Sequence, residues 1–303
     1  MSELLDIMVS FVAGLLPFLL SMLFGVYAFF IFSKMKKNTK KAHDIAVIGF
    51  PQSGKTTFIT TLFHQMQYNN VFNIKIDIRG TTIDRVNEDI RKIEIGQRLG
   101  ATTDQDRFAY RFDMPKSNLF KETIKVEIGD FRGENTESFY RDFGQWLHKT
   151  PFFKWVMQAD AFIFVVDVAN VLLDKQYKAQ MITSITAAWQ HITDYHIESK
   201  KRVDKNSVSI IFTKSDLLYI DKSDAEIIQT LGFKEFPEKT TISDEAKLNT
   251  KQIEDDFIEL KNYFKQKKIN SKFFFTSCFI YDEAEKSILG MRKIVSHILF
   301  KCL

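Results

Sequence analysis

The sequence predicts an α/β fold, a doubly wound and mostly parallel sheet, preceded by one transmembrane helix. Three observations carry that reading. Strand-like runs alternate with helix-length segments along most of the chain, the pattern of a sheet built by helical crossovers. Two of those runs, "AFIFVVDV" (161–168) and "SVSIIFTK" (207–214), are largely apolar on both faces, as central strands of a parallel sheet are. Ahead of them lie 26 residues without a charge, Ile7 to Phe32, more than the roughly 20 that a spanning helix needs.

The N-terminal segment, "IMVSFVAGLLPFLLSMLFGVYAFFIF", is too long for the apolar core of a cleaved signal peptide. Its flank holds Glu3 and Asp6 and no basic residue, where a signal peptide requires a basic one. Residues 1–33 therefore read as a single-pass anchor, with Pro17 as a site for a kink. The following tract, "KMKKNTKK", puts five lysines into eight residues within a linker at 34–43. The positive-inside rule then places the remainder on the cytosolic side of the membrane, and the lysines can also meet anionic headgroups.

Strands are expected at 44–50, 73–78, 107–114, 123–130, 161–168, 207–214 and 272–278. Those at 107–114 and 123–130 alternate polar and apolar residues, which reads as half-exposed or near an edge. Helices are expected at 56–68, 83–99, 171–195, 253–268 and 284–301. In the second of these, Ile83, Val86, Ile90 and Ile93 recur at helical spacing. A polar stretch at about 218–250 breaks the alternation and reads as an insertion into one domain covering 44–303.

The net charge of +4 is located mainly in the lysine tract. Elsewhere charges nearly balance, so no phosphate-tracking face is indicated and no nucleic-acid partner is expected. The two cysteines, Cys278 and Cys302, have no metal-ligand spacing, and so few thiols in a chain this long fit a reducing compartment.

The first chemistry-bearing motif is "GFPQSGKTT", with Gly49, Gly54, Lys55 and Thr56 at G-x-x-x-x-G-K-[ST] spacing between a strand and a helix. Backbone amides from Gly49 through Gln52, Ser53 and Gly54 to Thr56 and Thr57 would face phosphates, aided by the positive end of the helix. Lys55 would reach the β- and γ-phosphates, and the Thr56 hydroxyl would meet Mg²⁺. This motif alone does not separate ATP from GTP. Downstream, "DFRG" ends the strand at 123–130: Asp130 is placed to hold Mg²⁺, and Gly133 to offer its amide to a γ-phosphate. "FTKSD" brings Thr213, Lys214 and Asp216 to the end of a central strand. The two acceptor oxygens of Asp216 match the ring N–H and exocyclic amine of guanine. Adenine presents a bare nitrogen on that edge. Lys214 can lay its stem over the base. "TSC", with Ser277 and Cys278, supplies small residues whose backbone amide can meet the guanine oxygen. Each piece closes a strand, where open α/β sheets bind ligands.

The set Gly49–Thr56, Asp130–Gly133, Thr213–Asp216 and Thr276–Cys278 resembles the Ras-like G domains of the translation-factor-related class of P-loop GTPases, over about 44–301. One transmembrane helix followed by such a domain is similar to the layout of the signal-recognition-particle receptor β subunit. The Glu after Asp-x-x-Gly is similar to predicted bacterial double-GTPase proteins of conflict systems. The resemblance implies GTP/GDP and Mg²⁺ as ligands, and a switch threonine before the strand at 123–130. Thr102 and Thr103 both qualify, with Thr103 favoured. The chain departs from the pattern in four places. Thr213 stands for the usual Asn, and Cys278-Phe279 for Ala-Lys. Glu134 stands for the water-positioning Gln, and Pro51 and Gln52 replace small loop residues. A carboxylate at Glu134 would face γ-phosphate oxygens of like charge, so slow unaided hydrolysis is expected. Glu134, as a base of raised pKa, and Gln52 are the candidate catalytic residues.

The expected function is a membrane-anchored, Mg²⁺-dependent GTPase switch whose switch segments are read by a protein effector. Two alternatives stand beside it: a non-hydrolysing GTP-bound scaffold that recruits a partner to the membrane, and an ATP-binding P-loop enzyme.

Overall fold

In the computed structural model the chain divides into two compact units, Met1–Lys41 and Ala42–Leu303. The structure describes residues 43–68, 76–78, 80–95, 97, 99, 108–115, 123–130, 151–199, 207–218, 238–240 and 244–300, with residues 21, 22, 24 and 27 of the first unit. Those four are helical, and Met22, Phe24 and Tyr27 are exposed. Among the described residues no helix is long and apolar enough to cross a membrane. The predicted span at 7–32 lies almost wholly outside them.

The second unit is built on a seven-stranded sheet. Its strands are β1 (His43–Gly49), β2 (Asp77–Ile78), β3 (Phe108–Pro115), β4 (Thr123–Asp130), β5 (Ala161–Asp167), β6 (Val208–Thr213) and β8 (Lys272–Phe275), in the order β2-β3-β4-β1-β5-β6-β8. β4, β1, β5, β6 and β8 pair in parallel, while β3 runs against both of its neighbours. β1 is the switch point: the chain leaves it toward β4 on one side and later returns to β5 on the other. In such sheets a crevice opens above the carboxyl end of that strand.

Alternation along each strand divides the core into two layers. Ile45, Val47, Ile163, Val165 and Ile211 face α1 (Lys55–Tyr68), α2 (Thr81–Glu94) and α8 (Met291–Phe300). Ala46, Ile48, Phe162, Phe164, Val166, Ile210 and Phe212 face the other layer. That layer comprises α3 (Pro151–Gln158), α4 (Val168–Leu173), α5 (Lys175–Glu198), α6 (Asp244–Asp256) and α7 (Ile258–Gln266). Trp189 of α5 fills the centre of that layer, edge-on to Phe162 and Phe264. It is a core residue. So is His196, whose Nε2 lies 2.7 Å from the Met157 carbonyl.

Several predicted elements differ in the structure. The strand at 123–130 is interior, third from the edge, despite its polar residues. Cross-strand pairing accounts for this: Arg111 stands opposite Glu127, and its Nε donates to that carboxylate at 2.9 Å. The single helix expected over 171–195 is two, because Asp174 leaves helical geometry and caps α5 by accepting from Gln176 N at 2.7 Å. The helix expected at 253–268 begins earlier and breaks at the buried Phe257, giving α6 and α7.

The helix expected over 284–301 is partly a β-hairpin, β9 (Ile280–Asp282) with β10 (Ser287–Ile288), before α8 starts. Asp282 nucleates that turn by accepting from the backbone N–H of Ala284 and Glu285. Gly290 then links hairpin to helix at φ +71°, and a Cβ there would lie 2.0 Å from the Phe275 carbonyl. The strand expected to run to 278 stops at Phe275. The insertion is in part integrated: β7 (Glu238–Thr240) pairs in parallel with β9 in a separate three-stranded sheet.

Candidate functional site

The loop between β1 and α1 turns through two left-handed residues, Gln52 (φ 59°) and Gly54 (φ 83°). Gly54 adopts that conformation without a Cβ penalty. Gly49 serves differently: a Cβ there would sit 2.8 Å from Ser53 Oγ and 3.0 Å from the Val165 carbonyl. Only a glycine lets β1, β5 and the loop approach so closely. Lys55 is buried and folds back over the loop, its ammonium donating to the carbonyls of Gly49 and Phe50 at 2.8 Å each. Ser53 is buried and its hydroxyl is unpaired among the described residues. Thr57, the third residue of α1, is half-buried, and Gln52 is exposed.

Register places Asp130 beside Val47, two residues before the loop glycine of the neighbouring strand. Its side chain is fully buried; Oδ2 accepts a 2.8 Å hydrogen bond from the Thr56 hydroxyl, and Oδ1 has no partner among the described residues. Burial pushes the Asp130 carboxyl above the usual carboxylate range, opposed by the Thr56 hydroxyl and the Lys55 ammonium. A buried, half-satisfied carboxylate beside a threonine hydroxyl is an oxygen donor pair for a hard cation. Mg²⁺ characteristically takes one or two such protein ligands and completes its shell with water and phosphate. The residues present therefore fit the ion. Gly133, Glu134, Thr102 and Thr103 lie outside the described residues.

The residues expected to meet the base lie at and just beyond the ends of β6 and β8. Thr213 donates from Oγ1 to the Ser53 carbonyl at 2.6 Å. Lys214 has a left-handed backbone (φ 55°), and its ammonium meets Asp167 Oδ2 at 2.6 Å. Asp216, in a short 3₁₀ turn over Ser215–Leu218, is buried. Its Oδ1 accepts from the Ser277 hydroxyl at 2.5 Å. Burial raises the Asp216 carboxyl, with Ser277 pulling it back down. Cys278 is buried beside it, and burial with the Asp216 charge pushes its thiol well up. Thr276 N donates to Phe212 O and Ser215 N to Thr276 O, which stitches the β8 loop to the β6 loop.

Two functional contacts were not visible in the sequence reading. Ser277 offers its side chain as well as its backbone, holding Asp216 in one orientation. Asp167, at the end of β5, was not singled out at all; its position at the end of a central strand was the available signal.

A glycine-lined loop opening a helix, a buried carboxylate–hydroxyl pair beside it and a buried Asp just beyond β6 are the arrangement expected of a P-loop GTPase. The chain belongs to the Double-GTPase 1 family, which matches residues 46–233. The matched region includes Asp216 and ends before Ser277. No curated protein matches the chain. Among solved structures it is similar to the Roco2 RocCORdC structure of Methanosarcina barkeri bound to GDP, at 13% identity and a TM-score of 0.34. That match covers 87% of this chain and 50% of the other, so this chain spans half of that structure's length.

Proposed function

We propose that this P-loop GTPase is a membrane-anchored, Mg²⁺-dependent switch with slow intrinsic hydrolysis. GTP is its nucleotide by family. The observation that carries the assignment of the base to this site is the buried Asp216 carboxylate held by Ser277. Two fixed acceptor oxygens suit the two donors of guanine, and a base lacking them would leave a buried carboxylate unpaired.

In this reading Lys55, now held by the Gly49 and Phe50 carbonyls, would bind phosphate oxygens, which carry more negative charge. The unpaired Ser53 hydroxyl and the loop amides take further phosphate contacts. Thr56 and Asp130 would hold Mg²⁺, which when bound neutralises charge on the β- and γ-phosphates. Thr213 ties the loop that would meet the base to the loop that would meet the phosphates. The roles of Gly133, Thr103, Glu134 and Gln52 remain as the sequence suggests. Glu134 in place of Gln supports slow hydrolysis without an activator, and a protein effector would read the segments that hold Thr103 and Glu134.

The uncharged segment at 7–32 with its lysine flank supports a single-pass anchor with the GTPase domain on the cytosolic side. Competition titration on the full-length chain tests the nucleotide: GDP and GTP displace a fluorescent guanine nucleotide and ATP does not. ATP binding as tightly as GTP would sink the base assignment. Single-turnover hydrolysis, with and without cell extract, tests the switch. Slow GTP cleavage that Lys55→Ala abolishes supports it, and no cleavage under either condition would favour a GTP-bound scaffold. Retention in membranes after alkaline carbonate washing tests the anchor; release into the supernatant would remove it.

A further inference from the structure

We propose that Asp167 is a positioning residue of the base site: it holds the Lys214 ammonium and so fixes the lysine stem where a purine plane would lie. The proposal rests on the guanine-nucleotide reading above.

The carboxylate is the immobile partner. Asp167 is 1% exposed, whereas Lys214 is 42% exposed. Asp167 Oδ1 accepts from Ala169 N at 2.9 Å and Oδ2 from Asn170 Nδ2 at 3.2 Å, which caps α4 and pins the group. On that pinned Oδ2 the Lys214 ammonium closes at 2.6 Å. A buried carboxylate needs compensation by hydrogen bonds and an opposite charge, and Lys214 supplies the charge.

Backbone geometry aims the lysine. Asp167 stands opposite Thr213 in the β5–β6 ladder. The next residue, Lys214, turns into the left-handed region at φ 55°, which few non-glycine residues adopt. The chain therefore leaves the ladder at Lys214, and its side chain returns across the end of β5 to Asp167. A lysine side chain loses rotamer freedom when ordered. Here that ordering precedes the base, which is pre-organisation.

Asp167 is also linked to the phosphate loop through Tyr177. Its backbone N–H points to the Tyr177 hydroxyl at 3.4 Å, and the Tyr177 ring packs against Phe50 of the phosphate loop with centroids 6.0 Å apart. The lysine over the base and the loop under the phosphates are thus referenced to one residue.

A double-mutant cycle on the full-length chain, read as GDP affinity, tests this. Asp167→Asn keeps an N-cap acceptor and removes the charge; Asp167→Ser does the same with a smaller side chain, should the first not fold. Either change is expected to weaken GDP about tenfold, as is Lys214→Met, with the double variant no weaker than Lys214→Met alone. Losses that multiply in the double variant, or wild-type affinity in both Asp167 variants, would overturn the assignment. If the wild-type chain binds no GDP, the nucleotide reading itself fails; if it binds GDP and the losses multiply, only the role of Asp167 does.

Discussion

The Thr213 hydroxyl donates a 2.6 Å hydrogen bond to the Ser53 carbonyl, joining the base loop to the phosphate loop across 160 residues of sequence. The resemblance of the motif implies Asn at this position. The threonine reaches the loop because β1, β5 and β6 lie side by side in the sheet. Thr213→Val removes the donor and leaves a buried carbonyl short of one bond. It is expected to lower stability by about 1–3 kcal/mol, measured as the urea midpoint. Thr213→Asn is expected to restore part of that loss, and a Val variant as stable as wild type would show the bond to be dispensable.

Asp216 and Ser277 form the second such pair. Asp216→Asn exchanges an acceptor for a donor, so preference is expected to move from guanine to xanthine nucleotides in competition binding. Ser277→Ala frees the carboxylate to rotate and removes a hydrogen bond to a charged group, worth about 1.5–3 kcal/mol. GDP affinity should fall about tenfold or more, without a change of base preference. An unchanged preference in Asp216→Asn would remove Asp216 from the base site.

Acidification separates folding from binding. The Asp130 and Asp216 carboxyls are raised above their ordinary value of 3.8 by burial. A raised carboxyl contributes stability that is fully present below the unfolded pKa and is lost as pH rises through the folded one. These two groups therefore favour the nucleotide-free fold on acidification toward that ordinary value. GDP and Mg²⁺ need both carboxylates ionised, so the stabilisation they provide should shrink over the same interval. Thermal midpoints with and without GDP and Mg²⁺ should converge as pH is lowered from 7 toward 3.8; a ligand shift constant down to that value would contradict this.

Gly290 supports the base loop from behind. An added Cβ would lie 2.0 Å from the Phe275 carbonyl oxygen and 3.9 Å from Thr276 Cα, and the backbone is left-handed. Gly290→Ala is expected to cost roughly 1–3 kcal/mol and to weaken GDP binding by displacing the loop. Calorimetric unfolding with a GDP titration checks both, and a variant with wild-type values would show that the turn can relax.

Local periodicity and motif spacing determined a large part of this protein. The loop between β1 and α1 and the central strands β5 and β6 follow from residue pattern, and the P-loop GTPase class from the resemblance of the motif set, which the family match bears out. Each depends on neighbours within a few residues or on order along the chain. The hairpin at 280–288 was missed because its apolar spacing also suits a helix, although Asp282 carries a turn signal. The break at Asp174 was missed because one capping side chain outweighs the propensity around it.

The tertiary structure decided which strand ends meet. That Thr213 bonds Ser53, Ser277 orients Asp216 and Asp167 takes the Lys214 ammonium depends on the order β4-β1-β5-β6-β8. Sequence separations of 160, 61 and 47 residues hide these contacts. Hydrogen bonds and ion pairs act over a few ångströms, so their partners exist only once the sheet has brought distant strand ends side by side.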